Sequence, residues 1–78
     1  MGRLELFGAA RCPYTLEMRE ALEFARQEFV EYDVEADAEA RARLRAIAGD
    51  VRTIPVLVED GKVKEVGFRG RGCILEAK

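Results

Sequence analysis

The sequence predicts a small α/β domain with the element order β-α-β-α-β-β, organised as a four-stranded mixed sheet. Three observations carry this expectation. From Leu4 to Val34 an apolar run, an amphipathic helical pattern and an alternating run succeed one another, the signature of a βαβ unit with parallel strands. An alanine- and arginine-rich stretch with a start signal at Asp37 and a stop at Gly49 reads as a second helix. Two apolar runs then meet at Asp60-Gly61, a dipeptide that closes tight antiparallel hairpins.

In chain order, Arg3-Leu4-Glu5-Leu6-Phe7 is apolar enough for a strand in the middle of a sheet, and Gly8 ends it. The segment from Gly8 to Arg11 is the loop out of it. Pro13 suits the first turn of a helix, where its missing N–H would find no partner anyway, and this puts Cys12 at the N-cap. Tyr14, Met18, Ala21, Leu22, Ala25 and Phe29 fall on one helical stripe, and the helix is expected to fray near Gln27 or Glu28. Val30, Tyr32 and Val34 alternate with Glu31 and Asp33, as in an edge strand with one buried and one wet face. Asp37 caps the second helix, whose stripe is Ala40, Leu44 and Ile47. Thr53-Ile54-Pro55 leads into the strand Val56 to Glu59, where a proline is tolerated at the first position, and Lys62 to Phe68 returns after the hairpin. The tail from Arg69 to Lys78 reads as a glycine-rich loop and then a short helical turn.

Composition narrows the chemistry. The 78 residues, 1–78, suffice for a single domain with one modest core. Thirteen basic and fifteen acidic side chains are interspersed, with a net charge of −2, so neither a nucleic-acid nor a membrane partner is expected. No run is long enough to span a bilayer and the N-terminus lacks a signal pattern, so the expectation is a soluble, cytoplasmic monomer. Two cysteines without a histidine provide neither a four-ligand zinc site nor an imidazole general base; no metal is expected, and thiol chemistry remains.

Cys12 lies where a helix N-terminus stabilises negative charge, with Arg11 beside it, which favours a nucleophilic thiolate over a small capping residue. A two-cysteine redox motif would have its second cysteine at position 15, which is Thr15. Thr15 either donates a hydrogen bond to the thiolate or satisfies the first helical turn. Tyr14 either leans over the site or joins the core stripe.

Cys12-Pro13-Tyr14 at a helix start, with Thr53-Ile54-Pro55 before the third strand, resembles glutaredoxin, a family of thioredoxin fold, over most of the chain. The usual motifs there are Cys-Pro-Tyr-Cys and Thr-Val-Pro with a cis proline, and their loops face each other. Cys-Pro-Tyr-Thr is also similar to short bacterial redoxin-like proteins with cysteine or selenocysteine before Pro-Tyr-Thr. Gly67-Phe68-Arg69 is similar to the Gly-Phe-Arg of small redoxins that reduce ribonucleotide reductase. The chain departs from the family at Thr15, at Ala9 where a lysine is common, and at Gly70-Arg71-Gly72-Cys73, which replaces an acidic stretch that grips glutathione.

The resemblance implies a thiol-disulfide oxidoreductase with Cys12 as nucleophile, acting on a disulfide-containing protein or a glutathione mixed disulfide. Glutathione is the implied co-substrate, and a reductase is a further possible partner. It places Arg11, Pro13, Tyr14 and Thr15 in the active-site loop and assigns substrate binding to Thr53, Ile54, Pro55 and Arg69, with the main chain of Ile54 offered to an extended substrate. The segment after the fourth strand would border the Pro55 loop. Cys73 is then either a resolving thiol that replaces the missing cysteine or a buried apolar residue continuing into Ile74 and Leu75. Arg52 is the candidate for a glutathione carboxylate, whereas Arg41, Arg43 and Arg45 read as solvated charges; Arg69 and Arg71 serve either the site or solubility. Two other functions fit the resemblance: a carrier holding a 2Fe–2S cluster with glutathione, and a non-catalytic binding domain.

Overall fold

The computed structural model describes residues 3–75. The strand β1 (Leu4–Gly8) leads into the helix α1 (Pro13–Phe24), the strand β2 (Phe29–Asp33) and the helix α2 (Ala38–Ala48). The short strand β3 (Thr53–Ile54) then precedes the hairpin β4 (Val56–Glu59) and β5 (Lys62–Val66), and β6 (Cys73–Ile74) comes last. The main sheet has the order β2-β1-β4-β5, with β1 parallel to β2 and antiparallel to β4. The four-stranded mixed sheet is thus the one expected. A separate antiparallel pair, β3 with β6, was not. Cys73 and Ile74, in the tail read as a loop with a short helical turn after it, are extended, and what that expectation says of 76–78 lies outside the described residues.

All five residues of β1 are buried, because helices cover both faces of the sheet. Leu4, Leu6 and Leu57 face α1 and pack with Met18 and Leu22. Phe7, Val56 and Val58 face the other way and pack with Ala40 and Leu44 of α2. Asp37 caps α2 as the sequence implies, its carboxylate accepting from the N–H of Glu39 at 3.0 Å and of Ala40 at 3.3 Å. Asp60 and Gly61 both take positive φ, 53° and 79°, which the tight turn between β4 and β5 requires.

Two expectations need correction. The first helix ends at Phe24, not near Gln27: Arg26 adopts φ 58°, and the N–H of Gln27 returns to the Leu22 carbonyl at 3.0 Å. This left-handed stop is one that glycine usually signals. Ala25 is exposed in consequence, and Phe29 belongs to β2. Arg43 is likewise no free surface charge. It meets the buried Glu5 carboxylate of β1 at 2.6 Å, and Tyr32 completes the group by donating to Glu5 at 3.1 Å and accepting from Arg43 at 3.0 Å.

Glu5 is 2% exposed and Arg43 45%, so the two partners are not equivalent. Removing the arginine strands a carboxylate under α2, whereas removing the carboxylate leaves an arginine that reaches water. Urea unfolding is expected to show a lower midpoint for Arg43→Ala than for Glu5→Leu, with unchanged slopes.

Candidate active site

β1 delivers the chain to the site at Gly8. A Cβ at this position would collide with the Thr15 side chain, so glycine lets the first turn of α1 lie against the strand end. The loop tightens as the Cys12 N–H donates to the Ala9 carbonyl at 3.1 Å, and Pro13 opens the helix. Cys12 takes the N-cap position in an extended conformation, and its side chain makes no capping bond, which leaves the sulfur for other contacts.

That sulfur is buried, 3.9 Å from the Ile54 carbonyl. Burial opposes its ionisation. Hydrogen bonding from the Cys73 side chain, the Thr15 hydroxyl and the backbone amides of Thr15 and Tyr14 outweighs the burial and holds Cys12 below the ordinary thiol pKa. Of the two roles open to Thr15, the first is the one seen: its hydrogen is available to the Cys12 sulfur, while its oxygen accepts from the Ala9 N–H of the preceding loop at 3.4 Å and not from the first helical turn.

Cys73 arrives on β6, whose register with β3 pairs Ile54 with Cys73 and Thr53 with Ile74. Since Cys12 touches the carbonyl of the residue opposite Cys73, the two side chains share one site, both as free thiols. Gly72 makes the approach possible, because a Cβ there would run into the Ile54 carbonyl and the Thr53 side chain. Burial, the hydrogen bond to Cys12 and the negative charge of Cys12 push the Cys73 thiol up, against an opposing pull from Arg11. Cys73 is only half-buried.

The Ile54–Pro55 peptide is cis, and Pro55 is buried. Its carbonyl accepts from the Gly67 N–H at 2.6 Å, which fastens the end of β5 to the proline loop. Thr53 and Ile54 have β6 along their edge, so the main chain expected to meet an extended substrate is lined by the protein's own tail. Tyr14 is half-buried and packs against the core cluster that contains Cys12. Arg69 lies with its guanidinium 5.1 Å from the centre of the Phe68 ring and takes positive φ.

Arg11 is more engaged than its position predicted. Its Nε donates to both carboxylate oxygens of Glu35, at 2.9 and 2.7 Å, and Nη2 donates to the Ile74 carbonyl at 2.8 Å. Glu35 had no marker in the sequence, because a partner 24 residues away leaves no local pattern. Beside the site a groove of about 760 Å3 runs between α2 and the Val51–Arg52 segment. Arg41, Arg45 and Arg52 all border it, together with apolar Val34, Leu44 and Leu75, so Arg52 is not the one arginine placed to meet an anion. Among the described residues, no three His, Cys, Asp or Glu side chains are grouped to hold a metal ion, and no helix is long and apolar enough to cross a membrane.

A mixed sheet with helices on both faces, a cysteine at the first helix start and a cis proline facing it define a domain of thioredoxin fold. Residues 4–64 match the sequence model of the Glutaredoxin family, and the chain belongs to that family as a glutaredoxin-like redox protein. The match ends before Cys73. Among solved structures, the fold is similar to a point mutant of the thioredoxin-like protein BC3987, with 33% identity, a TM-score of 0.76, and coverage of 88% of this chain and 86% of that one. It is also similar to a glutaredoxin from Archaeoglobus fulgidus, at 20% identity and a TM-score of 0.71, over 88% of this chain and 78% of that one, a likeness of fold alone. No curated protein matches the sequence.

The thiolate environment has a direct readout. Alkylation of Cys12 is expected to reach half-maximal rate at a pH below the value of about 8.5 for an unperturbed cysteine. Thr15→Val removes one of the stabilising hydrogen bonds and shifts that midpoint to higher pH, which a pH series of iodoacetamide rates in a Cys73→Ser background measures.

Proposed function

We propose that the protein is a thiol-disulfide oxidoreductase in which Cys12 attacks a substrate disulfide and Cys73 resolves the product. The observation that supports this most is the adjacency of two reduced thiols whose ionisation is driven apart, Cys12 down and Cys73 up. One sulfur is thereby prepared as a nucleophile while the other keeps its proton and donates to it.

The chemistry takes two exchanges. The Cys12 thiolate attacks a disulfide R–S–S–R′, forms the mixed disulfide Cys12–S–S–R and releases R′–S⁻, which takes up a proton from water. Once Cys12 is capped it carries no negative charge, so two of the causes that hold the Cys73 proton vanish while the pull of Arg11 remains. Cys73 then loses its proton to solvent and attacks the Cys12 sulfur; R–S⁻ leaves, and a Cys12–Cys73 disulfide remains. Two molecules of a small thiol return the pair to the reduced state, becoming one oxidised disulfide. Glutathione suits this step. It is anionic, and the groove bordered by Arg41, Arg45 and Arg52 lies next to the Thr53-Ile54-Pro55 segment.

Turnover of a glutathionylated peptide separates the two roles. Cys12→Ser is expected to reduce the rate to background. Cys73→Ser is expected to capture glutathione within about threefold of the parent rate but to accumulate the Cys12 adduct, because resolution must then come from solution. A Cys73→Ser protein with unchanged turnover and no accumulated adduct would remove Cys73 from the mechanism.

A further inference from the structure

Among the described residues, backbone pairs with β6 on one side. Its two residues pair with β3, and the Leu75 N–H continues that ladder to the Arg52 carbonyl. The loop before it, from Gly67 to Gly72, turns through positive φ at Gly67, Arg69 and Gly70. Core packing of Leu75 and Cys73 adds to this ladder, but neither fixes where a two-residue strand after such a loop presents its thiol.

A further tie is Arg11. Its guanidinium donates to the Ile74 carbonyl at 2.8 Å, one residue from Cys73, and its Nε is gripped by both oxygens of Glu35. Glu35 is in turn fixed by its place in the β2–α2 connection, where its N–H donates to the Asp33 carboxylate at 2.9 Å. Arg11 adjoins Cys12 in sequence, and Ile74 adjoins Cys73. One planar cation thus ties together the residues next to both sulfurs, with a carboxylate keeping its fork in register.

We propose that Arg11, oriented by Glu35, is a positioning residue that latches β6 against the active-site loop and so directs the mixed disulfide to Cys73 instead of to a thiol from solution. The proposal rests on Cys73 being the resolving thiol. It gives Arg11 a duty beyond its charge, and Glu35 separates the two. Arg11 lowers the Cys73 thiol and Glu35 raises it, so charge alone would slow resolution in Arg11→Ala and speed it in Glu35→Gln. A latch slows resolution in both.

Acid-quenched mass spectrometry of the reduced protein mixed with glutathionylated peptide resolves the steps, tracking the Cys12 adduct and its conversion to the Cys12–Cys73 bridge. Arg11→Ala and Glu35→Gln are each expected to lengthen the adduct lifetime, Arg11→Ala by roughly tenfold, while the capture rate changes less. Arg11→Lys keeps a donor for the Ile74 carbonyl but loses the fork to Glu35, and is expected to fall between the parent and Arg11→Ala. Adduct lifetimes equal to the parent's in both Arg11→Ala and Glu35→Gln, or a lifetime lengthened in Arg11→Ala but shortened in Glu35→Gln, would overturn the latch while leaving Cys73 as resolving thiol. A parent protein that forms the adduct but never the bridge would overturn both.

Discussion

The hydrogen bond between the Cys12 sulfur, at the start of α1, and the Cys73 thiol is the interaction on which the site depends. Each sulfur shifts the ionisation of the other. The hydrogen bond that lowers Cys12 is also among the causes that raise Cys73, so the pair behaves as one titrating unit with unequal members. Thr15 fits this arrangement. In the position of a second motif cysteine it supports ionisation of Cys12 without competing for it, while the second sulfur of the site, proposed above as the resolving thiol, comes from a distant part of the chain, on β6.

The fold brings these parts together from the sheet outward. Burial of β1 on both faces fixes where Gly8 releases the chain, and the close contact of Gly8 with Thr15 fixes where α1 begins. On the other side, the cis proline loop is joined to the end of β5 by the Gly67–Pro55 hydrogen bond, and β3 receives β6. Glu5, Tyr32 and Arg43 tie α2 to the sheet. An ion pair with one buried member contributes little net stability, but it disfavours alternative placements of the helix that would leave Glu5 unpaired.

Much of this was legible in the sequence where the signal is local. Pro13 after Cys12, Asp37 before an alanine-rich run, and Asp60-Gly61 each prescribe a backbone conformation within a few residues, and each is realised. Cys12 and the Pro55 loop were readable as two halves of one site from their motifs. The rest depends on distant partners. β3 and β6 have two residues each, too few for any periodicity, so their pairing left no pattern. Nothing near Arg11 or Arg43 in the chain reveals Glu35 or Glu5 as partners; Arg11 was read only as a charge beside the Cys12 sulfur, and Arg43 as a solvated one. The early end of α1 was missed for another reason: Arg26 occupies a left-handed position without the glycine that would announce it.

Whether Cys12 and Cys73 form a single exchanging pair is read by equilibrating the protein across a series of glutathione redox buffers, with acid quench and peptide mass mapping. An exchanging pair gives one two-electron transition to a species in which the Cys12 and Cys73 peptides are joined, with the glutathione adduct on Cys12 only a minor intermediate. A stable Cys12–glutathione adduct as the oxidised end state, with Cys73 still a free thiol, would contradict it.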